Sequence, residues 1–563
     1  MRRITLSIIL PAVFIVMLFS AKASHLEVEA YMPDEELFRT NMEKTLAIYN
    51  IPSLSACILK RDGNKVWQIA WKGAYGYRSA ILPRFKADTD TIYTIASITK
   101  VITATAVMQL VDQGLISLDE DINVYMPFPI RNPGLDYSNP HDRIPPITVR
   151  HLLSHRSGLP STSPTFFTQH RNLFKQDFGV FMSIDQLREY LAKKESWAHT
   201  PPDDPHGAAY YRPGESYCYC NVGYMILGFL IEAVINKDRE PGSEKITWKD
   251  YIDDHILKPL NMGRTKFYWD YIWKFSNEAH GYIEKRYLTK PNPGYRLDPD
   301  GIFSPQYILV PQKNSIINPT LIGARYSAGG PAGQILSTPS DLAAFLIVHL
   351  NQGKGYVRDN EGNILYDEQK NPREIRILSE EGIEAMHNVE DERLCPVKPP
   401  NDPLYTTGLN RLTGYGLGWA RGNLGGRYWN YPWNPDLDPE KGVNWHELAK
   451  HGINRNPIRQ MNGVDTGGGL AIEGHSGDTY GYHSGMYRIS DDLAIIYFIN
   501  VDLSGEDRDE SRMQPGRFKH YTNIANGAQE LKGFDGALPH NIVKLSEIEY
   551  LLIQKAASLK TVI

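Results

Sequence analysis

Ser53-Leu54-Ser55-Ala56-Cys57-Ile58-Leu59 runs into Arg61-Asp62-Gly63-Asn64 and returns as Val66-Trp67-Gln68-Ile69-Ala70-Trp71. Two apolar runs about an Asp-Gly turn predict a β-hairpin. A second pair stands near the other end of the chain. Met486-Tyr487-Arg488-Ile489 turns at Ser490-Asp491-Asp492 into Leu493-Ala494-Ile495-Ile496-Tyr497-Phe498-Ile499. Strands at both ends predict one antiparallel sheet closed by distant segments. Between them the apolar period changes. Residues 101, 108, 111 and 115 are apolar at helical spacing, with Gly114 as a stop. Residues 222–235 are apolar nearly all round and read as a buried helix. Ser337-Thr338-Pro339-Ser340-Asp341-Leu342 caps a helix running to His349, and 545–556 forms a last amphipathic helix.

The expectation is an α/β (α+β) protein: an antiparallel sheet flanked by helices, plus a mainly helical subdomain. The sheet part takes residues 24–95 and about 325–563, and the helical part about 96–324. Two stretches read as insertions, 161–210 and 420–470. The second is aromatic, with Tyr428, Trp429, Tyr431, Trp433 and Trp445, and reads first as a packed surface cover, second as a roof over a groove.

Composition narrows the function classes. The 563 residues are 42% hydrophobic, which excludes a mainly disordered chain, and four cysteines cannot form a scaffold. Sixty Lys and Arg against 65 Asp and Glu, with no block of like charge, argue against a nucleic-acid partner. Met1-Arg2-Arg3, an apolar run from Ile4 to Phe19 and Ala21-Lys22-Ala23 read as a signal peptide over 1–23. The run is too short for a stable span and contains Pro11. The expectation is an exported protein, periplasmic or secreted, with no stable membrane span after cleavage. Cys218 and Cys220 are too close for an unstrained bridge to each other. Whether all four cysteines are free or one pairs with Cys395 stays open.

Three short motifs carry chemistry. Ser97-Ile98-Thr99-Lys100 opens a helix, and residues three apart share a helix face, so Lys100 can reach the Ser97 hydroxyl. A serine needs an adjacent base, and a buried lysine with a lowered pKa can be one. Tyr219-Cys220-Asn221 follows the turn Arg212-Pro213-Gly214-Glu215 and precedes the buried helix. Tyrosinate there could take the serine proton, and Asn221 could hold a substrate amide. The same spacing recurs at Tyr137-Ser138-Asn139 and Tyr428-Trp429-Asn430, without that setting. His475-Ser476-Gly477 leads into the last hairpin, where Gly477 lets a strand edge approach a substrate. The Asp478 amide could then join that of Ser97 as an oxyanion hole. The triplet repeats at His483-Ser484-Gly485. The first copy is preferred as the site strand.

In this order the motifs resemble the serine β-lactamase and penicillin-binding-protein superfamily, nearest the class C β-lactamases, class VIII esterases and D-aminopeptidase or D,D-carboxypeptidase-like hydrolases. The flanks agree: Ile147-Thr148-Val149-Arg150-His151-Leu152-Leu153-Ser154-His155-Arg156-Ser157-Gly158-Leu159-Pro160, the Pro213–Gly228 region, and the stretches Gly330–Asp341 and Gly414–Trp419. The resemblance implies an acyl-enzyme mechanism. Ser97 would attack a carbonyl, Lys100 and Tyr219 would share acid and base roles, and Asn221 would bind the acyl side chain. His475 stands where β-lactamases carry a lysine that helps hold a carboxylate. A histidine is a poorer anchor. This favours an esterase, amidase or D-aminopeptidase over a β-lactamase or D,D-carboxypeptidase. The substrate would be a small molecule or peptide with an ester or amide bond, cell-wall-derived peptides among the candidates. A catalytically silent binding protein on the same fold is the alternative from another class.

Other chemistries fail on spacing. No G-x-S-x-G is present. His446-Glu447-Leu448-Ala449-Lys450-His451 places its histidines five apart, on different faces of a helix, so it is not a zinc-protease motif. Gly414-Tyr415-Gly416-Leu417-Gly418 follows no βαβ signature. The reading expects no metal site and no cofactor.

Overall fold

The first hairpin forms where the two apolar runs flank the turn, but Gly63 does not take the positive φ there. In the computed structural model Asp62 accepts from the amides of Asn64 and Val66, and Lys65 takes the left-handed conformation at φ 64°. The structure describes residues 35–48, 51–79, 85–132, 135–159 (without 140 and 142), 212–267 (without 216 and 218), 277–284, 296–297, 307–309, 330–359, 362–389, 412–424, 455–456, 460–461, 464–465, 469–479, 482–502, 548–549, 551–556 and 558–559. The signal segment, the insertion at 161–210, most of that at 420–470, and Cys218 and Cys395 lie outside these residues.

Helix α1 (Glu35–Ile48) precedes β1 (Ser53–Arg61), β2 (Trp67–Ser79) and β3 (Phe85–Lys86). A 3₁₀ turn (Ala96–Ile98) leads into α2 (Thr99–Asp112). Then come α3 (Val149–Leu153), α4 (Asn221–Ile235), α5 (Pro339–Leu350) and α6 (Glu380–His387). The chain ends its sheet with β4 (Leu412–Tyr415), β5 (Ala420–Leu424), β6 (Gly469–Thr479), β7 (Tyr482–Arg488) and β8 (Leu493–Ile499). The main sheet runs β4-β5-β6-β7-β8-β1-β2-β3, antiparallel throughout, so the two distant hairpins meet where β8 pairs β1.

The sheet is apolar on both faces because both are covered. Along β8, Ala494, Ile496 and Phe498 enter the core shared with α2, α4 and α5. Leu493, Ile495, Tyr497 and Ile499 enter a second core with α1 and the C-terminal helix, represented by Ile548, Leu551 and Leu552. The period of two thus sorts one strand between two layers. The helices start where capping side chains stand: Thr338 accepts from the Asp341 amide before α5, and Thr148 from that of His151 before α3.

The helical span also holds short strands, at Lys266–Phe267, Tyr282–Glu284, Arg296–Leu297 and Tyr307–Leu309. Segments of two or three residues carry no readable period. Cys57 and Cys220 are buried thiols that form no disulfide. Among the described residues no helix is long and apolar enough to cross a membrane.

Candidate active site

The site lies where the turn before α2 meets strand β6. Ala96 sits at φ 46°, a left-handed conformation that costs a non-glycine residue about 1–3 kcal/mol. That turn presents Ser97 at the mouth of α2, while Lys100 behind it is wholly buried. Lys100 Nζ donates to Ser97 Oγ at 3.0 Å and to the Ala332 carbonyl at 2.6 Å. Burial pulls the ammonium pKa down to about 7, with the Cys220 thiol opposing weakly. Lys100 Nζ also lies 4.8 Å from the Tyr219 ring centre and 5.7 Å from that of Tyr224. These ring faces favour the cation, but desolvation wins.

Tyr219 is hydrogen-bonded to Ser97, and burial pushes its phenol pKa upward. The two candidate bases therefore separate. Neutral lysine is populated near neutral pH and tyrosinate is not, so Lys100 is the group able to take the serine proton and Tyr219 the group able to give one. The tyrosinate offered by the sequence is not favoured here, because burial penalises the anion more than the bond with Ser97 helps it, and the nearby Asp478 and Cys220 act in the same sense as burial.

Tyr219 is held from behind by a residue whose role the sequence did not disclose. The His155 ring lies 4.2 Å from that of Tyr219, and its Nδ1 accepts from the Cys220 amide at 3.0 Å. His155 is itself at φ 58° and packs among Tyr217, Tyr224 and Tyr415. Burial and the nearby Lys100 hold it well below the usual histidine range, so it is neutral. Asn221 begins α4 directly after this segment, half-buried, with Cys220 as the capping residue.

Strand β6 closes the other side. His475 and Gly477 lie on the side of Tyr219 and the Ser97 turn, while Asp478 lies on the opposite side with His483. A Cβ on Gly477 would stand 2.2 Å from the Ile95 carbonyl oxygen, 2.5 Å from Ser484 Oγ and 3.0 Å from the Ser97 amide nitrogen. Only glycine lets the strand approach the serine turn so closely. His475 is buried and its pKa is lowered to about 4, by burial first and then by Lys100. Its Nδ1 bonds the Ser476 carbonyl, which can only accept, so Nδ1 carries the proton. Nε2 then accepts from Tyr415 Oη at 3.0 Å. Both ring nitrogens are engaged within the protein, and the imidazole is neutral. Asp478 turns its carboxylate to the far face, where it meets His483.

Among the described residues no three or more His, Cys, Asp or Glu side chains group as a metal site. The structure thus gathers Ser97, Lys100, Tyr219, His475 and Gly477 in one place. It adds His155, Tyr224, Tyr415 and the Ala332 carbonyl. The first of these lay in the 147–160 stretch and Tyr415 in the 414–419 stretch, where sequence marked a landmark but no role.

Comparisons with known proteins bear on the family and the fold. Protein flp of Staphylococcus aureus (strain MW2) is 28% identical over 245 residues, 43% of this chain and 40% of its own length. Penicillin-binding protein 4* of Bacillus subtilis (strain 168) is 23% identical over 321 residues, 56% of this chain and 60% of its own length. The chain thus spans about half the length of these curated relatives or less than two thirds of it. Among solved structures, the octameric penicillin-binding protein homologue from Pyrococcus abyssi superposes with a TM-score of 0.50 at 21% identity, over 87% of this chain and 76% of that one. The Beta-lactamase family profile matches residues 38–515, from helix α1 through every strand of the main sheet and past both halves of the site. A sheet closed by the two ends of the chain, with a lysine-backed serine at its edge, is what that match covers, and this protein belongs to the Beta-lactamase family.

Proposed function

We propose that this protein is an exported serine hydrolase that acts on an ester or amide through an acyl-enzyme. The observation that carries the reading is the wholly buried Lys100 Nζ at 3.0 Å from Ser97 Oγ. Ser97 Oγ attacks the carbonyl carbon as its proton passes to neutral Lys100. The oxyanion is held by the amides of Ser97 and Asp478. Collapse breaks the ester or amide bond, and Tyr219 protonates the leaving group. Lys100 returns its proton to Tyr219, water attacks the acyl-enzyme as its proton passes to Lys100, and Ser97 Oγ leaves with that proton, releasing the acid. The basic n-region, apolar run and Ala-x-Ala site at residues 1–23 support export to a periplasmic or extracellular location.

The electrostatics of the site favour substrates without a carboxylate beside the scissile bond. His475 is neutral with both nitrogens occupied, His155 is neutral, and burial leaves Lys100 only partly charged near neutral pH. Charge-assisted bonds that would hold a β-lactam carboxylate are missing from these positions. The likeness to a protein named for penicillin binding makes a β-lactam the right comparison compound. The purified protein is expected to turn over a p-nitrophenyl ester or a D-amino-acid p-nitroanilide with kcat/KM at least about 100-fold above nitrocefin. Nitrocefin turned over as well as the ester would overturn the preference, and no turnover of any of them would count against the hydrolase itself.

A further inference from the structure

The reaction just described makes no use of the second His-Ser-Gly triplet, at 483–485. The strand register shows what it touches. On β6 and β7, Gly477 pairs with Ser484 and Asp478 with His483, so the two copies lie side by side. Ser484 is fully buried on the site face. Its hydroxyl donates to the Ile95 carbonyl at 2.9 Å, with the Gly477 carbonyl a longer acceptor at 3.3 Å. Ile95 immediately precedes Ala96, the residue at φ 46°, and then Ser97. One hydroxyl therefore ties the strained serine turn to the two strands beside it.

On the opposite face His483 does the same for the strand end. Its Nδ1 bonds Asp478 Oδ1 at 2.5 Å and its Nε2 lies 3.2 Å from Tyr497 Oη. Tyr497 in turn donates to Glu549 Oε1 at 2.7 Å. His483, Tyr497 and Glu549 are all buried. The row crosses from β6 over β7 and β8 to the C-terminal helix. Buried polar rows that are satisfied along their length fix one arrangement of the elements they join.

We propose that the second His-Ser-Gly is a positioning element for the oxyanion-binding amides, Ser484 setting the turn that carries the Ser97 amide and His483 the strand end that carries the Asp478 amide, anchored through Tyr497 and Glu549. This rests on the serine-hydrolase reading above. Neither Ser484 nor His483 touches a reacting atom. They act through the backbone they hold, and such donors must sit about 2.7–3.1 Å from the developing oxyanion, a window only a few tenths of an ångström wide. A misplacement of 1 Å can cost about 100-fold in rate.

The test is steady-state kinetics on p-nitrophenyl butyrate, with thermal unfolding of each variant, for Ser484→Ala, Ser484→Thr and Tyr497→Phe in the full chain. Ser484→Ala is expected to lower kcat about 10- to 100-fold with KM within about twofold, since the amides act on the transition state rather than on bound substrate. Ser484→Thr keeps the hydroxyl and is expected to restore most of the loss. Tyr497→Phe keeps the ring and removes the link to Glu549, and is expected to lower kcat about threefold or more. With an active wild type, unchanged kcat in Ser484→Ala, or a loss that the threonine does not restore, overturns the proposal. If Ser484→Ala does not fold, Tyr497→Phe decides: kcat equal to wild type overturns it. An inactive wild type that takes up no serine probe counts against the hydrolase reading instead.

Discussion

Replacing Lys100 by methionine is expected to give a protein that is nearly inactive and yet more stable than the wild type at neutral pH. The two effects share one cause. Lys100 is wholly buried, and its pKa is lowered from 10.5 to about 7 by desolvation. The unfolded chain binds the proton below pH 10.5 and the folded one does not until about pH 7, so this group reduces stability as pH falls through that interval. Methionine removes the charge, fills similar space and gives up the bonds to Ser97 and the Ala332 carbonyl. The balance is a gain of about 2–4 kcal/mol at pH 7, readable by urea unfolding. Activity moves the other way. Loss of the general base is expected to lower kcat/KM about 1,000-fold or more. In the wild type kcat/KM should fall below about pH 7, as Lys100 becomes charged and can no longer accept from Ser97. A wild-type profile flat from pH 5 to 9, or a less stable Lys100→Met protein of unchanged activity, would contradict this account.

The second large effect is acid lability. His349 is held down at about 3, and His280 and His475 at about 4, in each case chiefly by burial. His155 and His387 are held well below the usual range for the same reason. His349 and His387 bond each other at 3.2 Å and stack on Trp419 behind α2, so neither can be charged without disturbing the layer that backs the serine. For each, the unfolded chain takes up a proton below pH 6.5 while the folded chain does not, so stability falls as pH drops from 6.5 towards the folded values. Glu278, raised to about 7 by burial, opposes this by one proton, and the raised carboxyls of Glu232 and Asp341 act in the same sense. The histidines prevail, and stability is expected to fall by about 4 kcal/mol per pH unit near pH 5.5. Unfolding free energies measured at pH 7, 6 and 5 check it. A slope under about 1 kcal/mol per unit would contradict the neutral histidine core.

The sheet was legible in the sequence because its strands are short apolar runs and its hairpins carry turn residues. Ser53–Trp71 and Met486–Ile499 could be placed with no knowledge of each other. Ser97 and Lys100 were legible from their spacing taken together with the two later motifs, and the structure brings the amine to the hydroxyl. What was not legible depends on register between distant strands. Tyr415 meets His475 because β4 and β6 flank β5. That Asp478 turns away from the site, and that Ser484 reaches the Ile95 carbonyl, follow from which residues of β6 and β7 stand opposite. A one-residue slip would exchange their faces. The ordering of the two bases was hidden for a related reason. Burial decides it, and burial comes from α4, the Gly330–Gly333 segment and β6 arriving together around Lys100. Even the first hairpin shows the limit: Asp-Gly marked the turn, but Lys65 takes the positive φ.

The central claim is that Ser97 is an activated nucleophile. Intact-mass spectrometry after treatment with a fluorophosphonate tests it directly, on the wild type and on Ser97→Ala. One adduct per chain on the wild type and none on Ser97→Ala is the expected result. An adduct that persists in Ser97→Ala, or none on the folded wild type, would contradict it.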